Sequence, residues 1–310
     1  MKEQLDVIIP VYKPGLEFLD LLKKLQEQEY PVNRIIIMNT EQKYFDRLIY
    51  GTDFYEKYPK VSVYHLSKKE FDHGFTRCLG VQKSKTPYFM MMTQDALPAD
   101  NSLTKELMEA VQQDKVAAAY ARQLPLEDCK EAERFTRHFN YPNTSRVKTK
   151  EDLPSLGIKT YFCSNVCAIY NREVYEETGG FVHRAIFNED MIYAAGIVQK
   201  GYGIAYCAKA QVLHSHNYTG REQFRRNFDL GVSQAEHPEV FDSVPSESEG
   251  IHMVCLSAGH LRKIGKRRQI PALFFVSACK YAGYLLGKNY KKLPEALVLA
   301  CTMNKDYWRF

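Results

Sequence analysis

The sequence predicts an α/β fold: a mostly parallel sheet flanked by helices, followed by a helical C-terminal extension. Three observations predict it. In the first half of the chain, short apolar runs alternate with stretches of helical period. From about residue 257 the texture becomes helical and basic-apolar. The composition, 310 residues with 45% hydrophobic and 25% charged, is that of a globular chain with one large or two small cores. The 17 Gly and 13 Pro are scattered and no repeat persists, which excludes collagen, coiled coil and intrinsic disorder.

The elements follow in order. Val7-Ile8-Ile9-Pro10-Val11-Tyr12 is an apolar run closed by Pro14-Gly15, the pattern of a buried strand ending in a loop. Leu19, Leu22 and Leu25 recur at helical spacing and predict a helix over 16–29. Strands are expected at 34–38, 61–66 and 88–93, with a helix over 74–84. In such sheets ligands bind at the carboxyl ends of the strands, here Tyr12-Lys13, Asn39-Thr40-Glu41 and Gln94-Asp95. Residues 122–159 are polar and rich in Pro and Asn, and read as a long ordered excursion carrying substrate contacts. Regular structure resumes at 162–170, then Gly179-Gly180-Phe181, a helix over 189–200, a strand over 204–213 and a helix over 223–230. Lys263, Lys266, Arg267 and Arg268 precede an apolar stretch, 270–287, interrupted by Lys280. That stretch is short for a bilayer span, so it is expected to lie on a membrane surface or to pack on the rest of the chain.

The charge balance is mild. Lys plus Arg number 42 against 37 acids, a net charge of +5, which predicts no nucleic-acid partner. None of the eight Cys forms a CxxC and most sit in apolar runs, as reduced thiols of a cytosolic chain do. Met1-Lys2-Glu3-Gln4 leads straight into a strand-like run, so no signal peptide is expected and the chain is expected to stay inside the cell.

Five short stretches can carry chemistry. Asp95, just past a buried strand in Thr93-Gln94-Asp95, either holds a divalent ion against a diphosphate or caps a helix. Glu189 and Asp190 follow Asn188 at a helix start, as dipole partners or as a general base with a neighbouring acid that positions substrate. His214 and His216 alternate at a strand end, which puts both imidazoles on one face, for metal or for packing. In Phe71-Asp72-His73-Gly74-Phe75-Thr76-Arg77, Gly74 would let backbone approach a phosphate and Arg77 could pair with it. Arg226, in Gln223-Phe224-Arg225-Arg226, offers another guanidinium, or a solvated helix face. Together these describe a metal, a diphosphate and a sugar.

The order of these blocks resembles the family 2 glycosyltransferases, and within them the bacterial rhamnosyltransferases. The resemblance covers most of residues 5–235 and extends into the C-terminal tail. It implies a GT-A fold with a catalytic domain over 1–235 and a helical, membrane-associating region over 236–310. It places Pro10, Val11, Tyr12, Glu41, His73, Gly74, Arg77, Gln94, Asp95 and Arg226 at the nucleotide-sugar donor. Asp190 would be the catalytic base, beside Glu189; Asp95 and His214, with His216 as the alternative, would hold Mg²⁺ or Mn²⁺. Arg122 and Gln123 are expected to touch the acceptor. This sequence departs from the pattern where Thr93 and Gln94 replace the other residues of the Asp-x-Asp metal motif, and where Glu41 stands for a usual Asp.

The reaction so implied is an inverting displacement. L-Rhamnose would pass from dTDP-β-L-rhamnose to a hydroxyl of a lipid-linked glycan at the inner membrane face, through an oxocarbenium-like transition state. The basic-apolar tail then serves peripheral membrane contact. The competing readings are a transferase of another nucleotide sugar, a sugar nucleotidyltransferase, and a non-catalytic glycan-binding protein. The nucleotidyltransferase would want a Gly-rich basic loop near the start, which Lys13-Pro14-Gly15 supplies poorly.

Overall fold

In the computed structural model, which describes residues 3–242 and 247–308, β1 (Leu5–Tyr12) is apolar apart from Asp6 because both its faces are covered. Leu5, Val7, Ile9 and Val11 enter one core and Ile8 the other. The same alternation splits Ile35 and Ile37 from Ile36 and Met38, and Met90 and Met92 from Phe89 and Met91. A single sheet therefore carries a hydrophobic core on each side.

After β1 come α1 (Glu17–Gln26), β2 (Arg34–Thr40), α2 (Gln42–Ile49), α3 (Phe54–Lys57), β3 (Val61–Leu66), α4 (His73–Lys83) and β4 (Tyr88–Met92). The middle of the chain holds β5 (Leu97–Pro98), α5 (Leu103–Val111), β6 (Val116–Leu124), α6 (Glu131–Asn140), β7 (Arg146–Lys148), α7 (Leu153–Leu156), β8 (Cys167–Asn171) and α8 (Arg172–Glu177). Then follow α9 (Glu189–Gln199), β9 (Gly203–Leu213), α10 (Gly220–Glu236), α11 (Pro238–Phe241), α12 (Glu247–Lys263), α13 (Ile270–Lys288) and α14 (Glu295–Cys301).

The strands run β3-β2-β1-β4-β8-β6-β9-β5, with β7 paired to β9. β3, β2, β1 and β4 are mutually parallel, β8 is antiparallel between β4 and β6, and β6 pairs parallel with β9. The chain moves outward from β1 to β3 and returns to β4 on the other side of β1. That reversal splays the connections apart and opens a cleft at the carboxyl ends of β1 and β4.

The polar stretch 122–159 is more regular than its composition announced, since it contains α6, β7 and α7. None of the residues of α6 is buried, so no apolar stripe marked it in the sequence. α10 is also longer than 223–230, starting from a capping box between Thr219 and Glu222.

α13 packs on the rest of the chain, the second of the two expectations. One face packs backbone to backbone on α10, where a Cβ on Gly283 or Gly287 would stand 2.1 Å from the carbonyl oxygen of Phe224 or Phe228. Only glycines allow this approach. The opposite face leaves Phe274, Tyr281 and Leu285 exposed, while Phe275 lies against Gly220 at the start of α10. C-terminal to α13, Val298, Cys301 and Tyr307 share a small core with Ile186, Phe228 and Val232. Six of the eight cysteines are buried thiols and all eight are free.

Candidate functional site

The cleft at the carboxyl ends has a volume of about 560 Å³ and is lined by Asp95, Asp190, Glu189, His214 and His216 among others. A second cavity of about 360 Å³ adjoins it, lined by Tyr12, Thr40, Lys68, Phe71, Met303 and Asn304. His73, Phe187, Tyr218 and Arg226 line both, so the two form one elongated site.

Glu189 and Asp190 open α9 after Asn188, which stands in the left-handed region at φ 62°. An Asn tolerates that conformation better than most residues. The two acids do different jobs. Glu189 is buried, paired with Arg77 Nε at 3.1 Å and accepting from Asn165 Nδ2 at 2.9 Å. Burial works against its charge, but Arg77 outweighs it and its pKa is lowered. Asp190 borders the cleft, with Oδ2 accepting from the Asn165 N–H at 2.9 Å and Oδ1 from the Met191 N–H at 2.8 Å. Burial first, and then the neighbouring Glu189 charge, push its pKa up to about 7. A carboxylate fixed by two backbone donors and titrating near neutrality is equipped to take a proton.

Asp95 faces both histidines. Its Oδ1 lies 3.7 Å from His214 Nε2 and its Oδ2 lies 3.4 Å from His216 Nε2. The three ligand atoms all fall within 4.8 Å of one another, spacing that a divalent ion can bridge. The ring of His214 is fixed by polar neighbours. Gln123 Nε2 donates to Tyr141 Oη at 2.6 Å and Ser164 Oγ at 3.0 Å, which turns Gln123 Oε1 toward His214 Nδ1 at 2.9 Å. Arg137 Nη1 donates to the same Gln123 oxygen and lies 3.4 Å from His214 Nδ1, so the ring is held with Nε2 toward Asp95. Burial, reinforced by His214, lowers the His216 pKa to about 4 and keeps that ring neutral. For Asp95, burial pulls upward, but the hydrogen bond and charge of His214 prevail and hold the carboxyl below its usual range.

Several expected ligand contacts turn out to hold the site together instead. Arg77 lines the large cleft, where it pairs with Glu189 through Nε and donates to the His73 carbonyl through Nη1. A Cβ at Gly74 would stand 2.0 Å from the Val182 carbonyl oxygen, so the glycine serves a chain crossing rather than a ligand. Gln94 exchanges two hydrogen bonds with the backbone of Tyr12, tying the ends of β1 and β4 together. Pro10 and Val11 lie within β1 and line neither cavity; of that run Tyr12 does. Glu41 turns away at φ 67° to accept from the Lys68 N–H, and Thr40 lines the smaller cavity in its place. Arg122 donates to the Tyr141 carbonyl and lies outside both cavities, while Gln123, largely buried beside His214, does line the large cleft. His73 and Arg226 do border the site, and burial lowers the His73 pKa, keeping it neutral.

Some residues of the site went unnoticed in the sequence. Glu133 and Arg137 come from α6 and Asn165 from the segment before β8; nothing local distinguishes them. Lys280 reaches the cleft from α13, and its signal was visible: it is the lone charge in the apolar run 270–287.

A sheet of this order, with paired acids and a carboxylate–histidine cluster at its carboxyl rim, is the architecture of a sugar-transferring enzyme of the GT-A class. The chain belongs to glycosyl transferase family 2, whose family model matches residues 6–179, and it is a glycosyltransferase. It is 36% identical over 307 residues to the O-antigen chain rhamnosyltransferase RfbN of Salmonella typhimurium, covering 98% of this chain and 96% of that one. To the O-antigen chain rhamnosyltransferase WbaN of Salmonella anatum it is 35% identical over 305 residues, covering 97% and 95%. The fold is similar to that of the mannosyltransferase PcManGT from Pyrobaculum calidifontis, solved in complex with GDP-Man and Mn²⁺ (TM-score 0.57, 14% identity, 99% of this chain and 85% of that one). It is also similar to S. aureus TarS 1-349 (TM-score 0.51, 13% identity, 93% and 91%).

Proposed function

We propose that this enzyme transfers L-rhamnose from dTDP-β-L-rhamnose, with inversion, to a hydroxyl of a growing lipid-linked cell-surface polysaccharide. Relatives named as O-antigen chain rhamnosyltransferases, matched along nearly the whole chain, support the sugar and the pathway class. The observation that carries the mechanism is Asp190: a carboxylate raised toward neutrality, aimed at the cleft by two backbone N–H groups and kept apart from Glu189 by the Arg77 pair.

In this reading Asp190 takes the proton of the acceptor hydroxyl as that oxygen attacks the anomeric carbon from the face opposite the diphosphate. Arg77 and Asn165 hold Glu189 charged, and that charge keeps Asp190 basic. The nucleoside occupies the smaller cavity between Tyr12, Thr40 and Phe71, and Arg226, on the border of both cavities, faces the diphosphate. Asp95, His214 and His216 would hold Mg²⁺ or Mn²⁺, which would supply charge to offset that developing on the leaving diphosphate. Residues 1–235 act as the catalytic unit and 236–310 as its membrane-facing cover. The exposed stripe of α13, with Lys263, Lys266, Arg267 and Arg268 beside it, lies against the anionic inner face of the cell membrane. The test is a panel of nucleotide sugars with nucleotide diphosphate release as readout. Turnover fastest with dTDP-rhamnose supports the reading, and turnover confined to another sugar overturns the donor.

A further inference from the structure

α13 is built with its charge inward and its apolar side outward. Phe274, Tyr281 and Leu285 are exposed on one face, together with Ala278 and Ala282. Lys280 lies three and seven residues before Gly283 and Gly287, and so shares the face that packs on α10. The close glycine contact leaves α13 no slack, and it sets Lys280 in the wall of the large cleft, in the company of Asp190.

The surroundings of Lys280 call for an anion. Glu133 is the acid of this part of the wall, and it is taken up by Arg137 at 2.8 Å. Arg226 stacks over Phe187 at 4.4 Å and, like Lys280, has no carboxylate within ion-pair distance among the described residues. Burial, and then the charges of Arg226 and Arg137, lower the Lys280 pKa against the pull of Glu133. Removing an unpaired ammonium from water is costly unless a ligand brings the opposite charge. Arg226 borders both cavities and so faces the donor, whereas Lys280 lines only the larger one.

We propose that Lys280 binds the phosphate group of a lipid-linked acceptor, whose hydrocarbon tail leaves the cleft along the exposed apolar face of α13. The proposal rests on the reading that the acceptor is lipid-linked, and it adds the residue that would recognise that link. One helix would then place the acceptor's sugar before Asp190, its phosphate on Lys280 and its lipid on the outer stripe.

Octyl diphosphate, an alkyl anion with no sugar, tests this by calorimetric titration into the full-length protein saturated with dTDP and Mn²⁺. Wild type should bind it, Lys280→Met should weaken binding about tenfold or more, and Lys280→Arg should restore it to within about threefold. dTDP affinity and Tm should be the same in all three proteins. Failure of wild type to bind, equal binding by Lys280→Met, displacement of dTDP by octyl diphosphate, or loss in Lys280→Arg together with a lower Tm would each overturn the proposal. Absence of dTDP binding would count against the donor reading alone, and the octyl diphosphate titration is then read on the protein without nucleotide.

Discussion

Asp190→Asn keeps the volume of the side chain and removes its charge and its basicity. In wild type the two carboxylate oxygens accept from the Asn165 and Met191 N–H groups at 2.9 and 2.8 Å. An amide can accept only one of these bonds, so one backbone N–H faces an NH₂, at a cost of about 1–3 kcal/mol. Relief of the repulsion from Glu189 acts in the opposite sense, so the variant should fold. Loss of a positioned base should lower kcat about 10²- to 10⁴-fold, while dTDP-rhamnose binds within about threefold of wild type. The pH profile provides a second arm. With a pKa of about 7, Asp190 is charged in about one molecule in eleven at pH 6 and about ten in eleven at pH 8. Wild-type kcat/KM should therefore rise about tenfold between these pH values, and any residual rate of the variant should not. The same shift has a stability sign: between the ordinary carboxylate range and about pH 7, the folded chain keeps a proton that the unfolded chain releases. Asp190 thus opposes the stability that the depressed His73 and His216 add as pH rises through that window, and Asp190→Asn should make Tm climb more steeply with pH than in wild type. Turnover of the variant within tenfold of wild type, or a flat wild-type rate profile from pH 5.5 to 8, would refute the assignment.

Three further outcomes are expected. Asp95→Ala, His214→Ala and His216→Ala should each weaken Mn²⁺-dependent dTDP binding by tenfold or more, and Gln123→Leu, which removes the partner of His214 Nδ1, should cost about 10- to 100-fold in metal affinity; titration of Mn²⁺ into each variant checks this, and wild-type activity indifferent to a chelator would sink it. Gly283→Ala drives a Cβ toward the Phe224 carbonyl and should destabilise the fold by about 1–3 kcal/mol, measured as a lower Tm, whereas Ala at the open Gly259 should change little. Reversing the charge of Lys263, Lys266, Arg267 and Arg268 should release the protein from anionic vesicles, since each basic residue contributes about 1 kcal/mol near the surface; co-sedimentation of the variant at the wild-type level would count against membrane contact.

The strands, the main helices and the positions of Asp95, Asp190 and His214 were legible in the sequence because each rests on a local signal. β1, β2 and β4 carry continuous apolar runs at 7–12, 35–38 and 88–92, since a strand covered on both faces must be apolar on both. Residues at the ends of such strands fall at the ligand rim by topology, which is how Asp95 and His214 could be picked from order alone. What those side chains do was decided by partners far away in sequence. Arg77 and Gln123 both line the cleft, but Glu189, from another helix, pairs with the first, and His214 and Tyr141 engage the amide of the second. α6 escaped notice because it buries no residue and so shows no apolar stripe, yet it brings Glu133 and Arg137 to the cleft. The run 270–287 announced an apolar helix, but not that its glycines would turn Lys280 inward and its aromatic rings outward. Periodicity and strand ends are properties of neighbouring residues; charge pairing and packing against a second backbone belong to the folded chain, where residues distant in sequence compete for the same groups.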